Sequence, residues 1–134
     1  MKRSLFDAAQ ACLTAEAPDE KVALTFAAAD AFARGELRIP EAAPPPDAVR
    51  MPGRPPTPRL VHPRELSKRG LGSSQGRAAF IHSIAHIELN AIDLGWDAVY
   101  RFRGLPGAYY ADWVGVASDE ARHFVMLRDR LRAF

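Results

Sequence analysis

The feature that most constrains this chain is an apolar stripe at helical spacing through residues 75–134, interrupted by two acids and an imidazole. Steps of three and four from Ile81 reach Ile84, Glu88, Ile92, Gly95, Val99 and Phe102. All are apolar or glycine except Glu88, and such a stripe is what a helix turns toward a core. His82, His86, Asn90, Asp93 and Asp97 form a polar face opposite, where a solvated acid could have stood. The same walk downstream gives Tyr109, Trp113, Val116, Glu120, His123, Leu127 and Leu131. Glu120 and His123 are three apart and share a face. Residues 75–134 therefore read as two long amphipathic helices joined at Gly104-Leu105-Pro106-Gly107.

In an antiparallel hairpin, residues at one level have numbers that average to the turn. Glu88 and Glu120 average to 104, and Glu88 and His123 to 105.5, both within the turn. The three side chains should then lie together, about 24 Å from the turn at 1.5 Å per residue. A carboxylate in an apolar seam costs several kcal/mol unless it is paired, protonated or metal-bound, and facing carboxylates repel. A divalent cation offsets both terms. One lone Glu plus Glu-x-x-His is half of the ferritin-like di-iron pattern, which takes a Glu from each of two helices and Glu-x-x-His from each of two others. Carboxylate oxygen and imidazole nitrogen suit iron or manganese. Glu88, Glu120 and His123 are the candidate metal ligands.

The rest of the chain divides at two composition shifts. Residues 1–38 read as a helical pair. Leu5, Phe6, Ala9, Cys12 and Leu13 form the apolar side of the first helix. Pro18-Asp19-Glu20 opens the second, Val22, Phe26, Ala29 and Ala33 mark its buried face, and Gly35 ends it. No chemistry is expected here. Residues 39–74 hold nine of the chain's 11 prolines and form an extended connector, with Leu60, Val61 and Leu66 as anchors for a strap along the helices. His62 reads as a surface residue. Arg64, Lys68 and Arg69 make a small basic patch, either plain solvated surface or a contact for a phosphate-bearing substrate.

Several polar residues near the motif have structural readings. His82 and His86 lie off the Glu88 stripe, with no Glu in the His-Glu-x-x-His position, and are packing or ligand-orienting residues. Asp93, Asp97 and Arg101 form a surface charge ladder. Asp119 and Arg122 flank the Glu-x-x-His. Trp96, Tyr100, Tyr109, Tyr110, Trp113 and Phe124 are core aromatics, with Tyr100 and Tyr109 near the turn and far from the ligand level.

A length of 134 residues, 48% hydrophobic and 25% charged, fits one soluble domain. The +2 net charge lies mostly mid-chain and is a weak signal for nucleic acid. A single cysteine, Cys12, rules out an internal disulfide and fits a reducing cytoplasm. No secretory signal and no run near the ~18 apolar residues of a membrane span is present.

The runs His86-Ile87-Glu88-Leu89-Asn90-Ala91-Ile92-Asp93-Leu94-Gly95-Trp96-Asp97, Tyr100-Arg101-Phe102, Asp112-Trp113-Val114 and Asp119-Glu120-Ala121-Arg122-His123-Phe124 strongly resemble a bacterial ferritin-like family. That family is known as domain of unknown function 455. The resemblance extends over Pro63-Arg64-Glu65-Leu66 and the N-terminal helices. It implies a ferritin-like bundle, a di-iron site, and distant kinship with di-iron hydroxylases that modify tRNA, which brings in tRNA as a partner class. It supplies no substrate.

Family members carry two further core helices with a second lone Glu and a second Glu-x-x-His, and this sequence has neither. One chain offers two carboxylates and one imidazole, too few for two metal ions. Three arrangements follow. Two chains could pair as a homodimer and complete the site by symmetry. The chain could be a truncated piece with its seam open. Or the N-terminal pair could cover the seam, leaving no competent site. The expectation is an all-α fold with half a ferritin-like bundle. The function is either an oxygen-activating di-iron or di-manganese oxidase or hydroxylase, or a non-catalytic metal-binding or helix-interaction protein.

Overall fold

The computed structural model describes residues 2–41, 44, 46–48, 52–53 and 71–133. The fold is all-α: α1 (Leu5–Thr14), α2 (Pro18–Ala33), α3 (Ser74–Arg101) and α4 (Gly107–Arg132). Two short strands, β1 (Arg3–Ser4) and β2 (Leu37–Arg38), pair in parallel, Arg3 opposite Leu37 and Ser4 opposite Arg38. They tie the start of α1 to the exit of α2, and two-residue strands leave no periodic signal in a sequence. The expected anchors Leu60, Val61 and Leu66, with His62, Arg64, Lys68 and Arg69, lie outside the described residues.

Local chemistry sets the helix ends. Ser4 Oγ accepts from the Phe6 amide at 3.1 Å, and Ser73 Oγ from the Gly76 amide at 3.0 Å. Each satisfies a first-turn donor that has no partner within the helix. Pro18 opens α2, with Asp19 and Glu20 in its first turn. The helix closes with Gly35 at φ +74°, the Gly35 amide reaching the Phe32 carbonyl and the Glu36 amide reaching that of Ala31. That pair of bonds is a Schellman stop. Between α3 and α4, Gly104 at φ +73° makes the turn. Tyr110 Oη clamps it, donating to the Phe102 carbonyl at 2.9 Å and accepting from the Leu105 amide at 3.3 Å.

α3 and α4 form the antiparallel hairpin that dominates the molecule. They pack tightly where Gly95 meets Ala117: a Cβ on Gly95 would lie 3.0 Å from Ala117 Cβ and 3.1 Å from its backbone nitrogen. The core gathers Leu89, Ile92, Trp96 and Val99 of α3, Tyr110, Val114, Ala117, Ala121 and Phe124 of α4, and Leu5, Phe6, Ala9, Cys12 and Leu13 of α1. The apolar side expected for α1 is buried in full. On α2 the buried row is Lys21, Val22, Thr25 and Ala28, while Phe26 and Ala29 are half-buried and Ala33 is exposed.

On α4 the buried row lies one residue beyond the expected stripe: Tyr110, Val114, Ala117, Ala121 and Phe124 in place of Tyr109, Trp113, Val116, Glu120 and His123. The N-terminal pair causes this shift. By packing on one flank of the hairpin, it draws the core toward that flank and leaves the expected stripe along the other margin of the seam. The same asymmetry leaves Phe102 and Val116 exposed.

Asp93 corrects the surface-ladder reading. It is buried and ion-paired with Lys21 of α2, the side chains only 4% and 1% exposed. Lys21 Nζ also donates to the Leu13 carbonyl at 3.0 Å, and Trp96 Nε1 donates to Thr25 Oγ1 at 2.9 Å. Asp97 and Arg101 do form the expected surface pair, at 2.9 Å. The Arg103 guanidinium stacks over the Phe6 ring at 3.7 Å, and burial lowers its pKa. The described part of the connector lies along the helices: Tyr100 Oη donates to the Asp47 carbonyl at 3.0 Å, and the Gly53 amide to that of Leu13 at 2.7 Å.

Candidate metal centre

Three ionisable side chains converge on the margin of the α3–α4 seam. One ligand atom from each of Glu88, Glu120 and His123 lies within 4.8 Å of the others. His123 Nδ1 stands 3.4 Å from Glu120 Oε2 and 3.7 Å from Glu88 Oε2. The hairpin register produces this: α3 and α4 run antiparallel from one turn, so positions averaging near 105 share a level. The Glu-x-x-His spacing then turns both α4 groups to the same side.

Exposure is graded across the cluster. The Glu88 side chain is 19% exposed, Glu120 25% and His123 54%. His123, expected in the seam, lies at its outer edge because of the one-residue shift of the α4 core. Among the described residues, Glu88 Oε2 is the one buried side-chain polar atom with no hydrogen-bond partner. A desolvated carboxylate oxygen without a donor costs on the order of 1–3 kcal/mol, more when charged. A cation is one partner that would offset this cost, and the Glu120 carboxylate and the His123 imidazole stand beside the gap. A divalent cation fits that donor set.

Among the described residues, the N-terminal pair makes its polar and ring contacts on the other flank of the hairpin. Its ion pairs, hydrogen bonds and ring contacts run to Asp93, Trp96, Arg103, Tyr110, Arg128 and Arg132. Phe80, Ile87 and Leu94 of α3 and Val116 of α4, all exposed, lie instead on the margin that carries the three ligand candidates.

Other sequence candidates fall away from the cluster. His82 and His86 meet edge to face with ring centroids 4.6 Å apart, on the far side of α3 from Glu88. Asp119 and Arg122 pair with each other on the outer surface. Tyr109 and Tyr110 serve the turn, Tyr109 Oη donating to the Ala98 carbonyl at 2.9 Å. Sequence reasoning missed the Lys21–Asp93 pair. The signal was present, because Asp93 sits in the row Leu89, Trp96, Tyr100, all of them buried.

Among the described residues, no helix is long and apolar enough to cross a membrane. A Haemophilus influenzae protein described only as uncharacterized is 41% identical over 87 residues, covering 58% of this chain and 30% of that protein. The matched segment thus spans less than a third of the relative's length. No solved structure matches the chain. The model of a family described as "Protein of unknown function (DUF455)" matches residues 14–134, nearly the whole chain, and the protein belongs to that family.

Proposed function

We propose that this chain carries one half of a ferritin-like, carboxylate-bridged di-metal centre, of iron or else manganese, and that a second copy completes it as a homodimer in the cytoplasm. The observation that carries the reading is the buried Glu88 Oε2 without a hydrogen-bond donor, beside the Glu120 carboxylate and the His123 imidazole. Glu88 and Glu120 would hold or bridge the metals, and His123 would be a terminal ligand. One hairpin supplies three donors. Two related by a two-fold axis supply four carboxylates and two imidazoles, the donor set of di-iron bundles. The exposed Ile87, Leu94 and Val116 give a second hairpin an apolar face to cover. When bound, such a metal pair supplies dioxygen activation to an oxidase or hydroxylase.

The same apolar margin also favours a second reading, a non-catalytic protein that binds partner helices through it. Elemental analysis of aerobically and anaerobically purified protein, together with native mass, separates the two. About one metal ion per chain in a dimer, abolished by Glu120→Ala, supports the metal centre. A metal-free monomer whose open face binds helices supports the second reading. Glu88→Leu should stabilise the metal-free protein by about 1–3 kcal/mol, since it replaces an unpartnered buried oxygen with methyl groups. A loss of stability on that substitution would mean the carboxylate is satisfied without a metal.

A further inference from the structure

One open surface depression lies outside the cluster yet on its line. It has a volume of about 250 Å³, stands at the end of the hairpin remote from the turn, and is lined by Leu71, Arg77, Phe80, Ile81 and Arg130. Three walls are apolar and two carry guanidinium groups. Arg77 is held in place, its Nη1 donating to the Leu71 carbonyl at 3.2 Å and its Nη2 to Ser74 Oγ at 3.4 Å. An apolar floor disfavours small, strongly hydrated ions, and two guanidinium groups repel cations and favour an anion over a neutral ligand. What remains is an amphiphilic anion, because the planar guanidinium fork matches a carboxylate.

The position of the depression adds a direction. Ile81 is seven residues from Glu88, and Arg130 is seven from His123. Both intervals are two helical turns, about 10 Å at 1.5 Å per residue. Half-buried Ile84 and Leu127 lie between them along the two helices and are the apolar side chains on that path. We infer that the pocket of Arg77, Phe80, Ile81 and Arg130 binds a medium-length apolar carboxylic acid, with its carboxylate on the two arginines and its apolar end along Ile84 and Leu127 toward Glu88. The pocket stands on its own geometry, and its role as a substrate site rests on the metal-centre reading. In that role the pocket puts hydrocarbon, not carboxylate, beside the metal ligands.

The test is calorimetric titration of the full chain with octanoate, octanol and acetate, with circular dichroism to confirm that each variant folds. Octanoate should bind at least about tenfold more tightly than octanol or acetate. Arg77→Gln and Arg130→Gln should each weaken octanoate about tenfold while leaving Mn²⁺ binding unchanged, and Phe80→Asp should abolish octanoate binding. Glu88→Leu should do the reverse, losing Mn²⁺ and keeping octanoate. If Mn²⁺ fails to bind but octanoate binds through the arginines, the metal centre falls and the pocket stands. Equal binding of octanoate and octanol, or octanoate affinity untouched in both arginine variants, overturns the inference. So does arginine-dependent binding of tRNA with none of octanoate.

Discussion

Breaking the Lys21–Asp93 pair offers a sharp test of how the N-terminal helices are held. The two side chains are 1% and 4% exposed, so neither charge has recourse to water. Asp93→Leu removes the opposite charge and leaves the Lys21 ammonium buried beside the Leu13 carbonyl. Orphaning one member of a buried pair costs about 3–5 kcal/mol. That is about a fifth or more of the roughly 5–15 kcal/mol typical of a whole domain. The double variant Lys21→Met, Asp93→Leu removes both charges at similar volume and should lie within about 1 kcal/mol of the parent, or above it. The four proteins form a cycle with a coupling energy of several kcal/mol. Urea unfolding followed by tryptophan fluorescence would read it, since Trp96 donates to Thr25 beside the pair. With m of about 1–3 kcal/mol/M in urea, the single variant should lose more than 1 M in midpoint. A coupling energy below 1 kcal/mol, or an Asp93→Leu protein as stable as the parent, would refute the claim that this pair pins α2 to α3.

Two further outcomes follow from the packing. Gly95→Leu forces the helices apart, because its Cβ alone would stand 3.1 Å from the Ala117 backbone nitrogen; it should cost about 1–3 kcal/mol by overpacking and weaken Mn²⁺ binding by spreading the helices that carry Glu88 and Glu120, which thermal unfolding with and without Mn²⁺ would show. Cys12 supplies a pH dependence: burial pushes its thiol from 9.0 up to about 11, against smaller opposing effects of Thr25 and Lys21. The folded state therefore keeps a proton that the unfolded chain releases, so this contribution is whole below pH 9 and lost as pH rises toward 11. The loss should be on the order of 2–3 kcal/mol at about 1.4 kcal/mol per unit, and urea midpoints of the parent and a Cys12→Ala variant across that range should converge.

Much of the architecture could be read from the residues in order. Pro18, Gly35 and Gly104 punctuate the helices because helix starts and positive φ are local chemistry, settled within a few residues of chain. The level shared by Glu88, Glu120 and His123 was legible for a related reason. One tight turn fixes the register of an antiparallel hairpin, so the spacing along the chain carries over into space.

What the sequence could not settle was which side of each helix faces the N-terminal pair. That depends on contacts between segments as much as 113 residues apart, and it moved the α4 core by one residue, from the row of Val116 and Glu120 to that of Ala117 and Ala121. Asp93 went from the expected surface to the core for the same reason: only the docking of α2 brings Lys21 to it. Helical periodicity names the candidates for burial within about one residue. The tertiary partner then chooses among adjacent rows, because turning a helix through one residue's arc costs its own backbone nothing and changes everything it packs against.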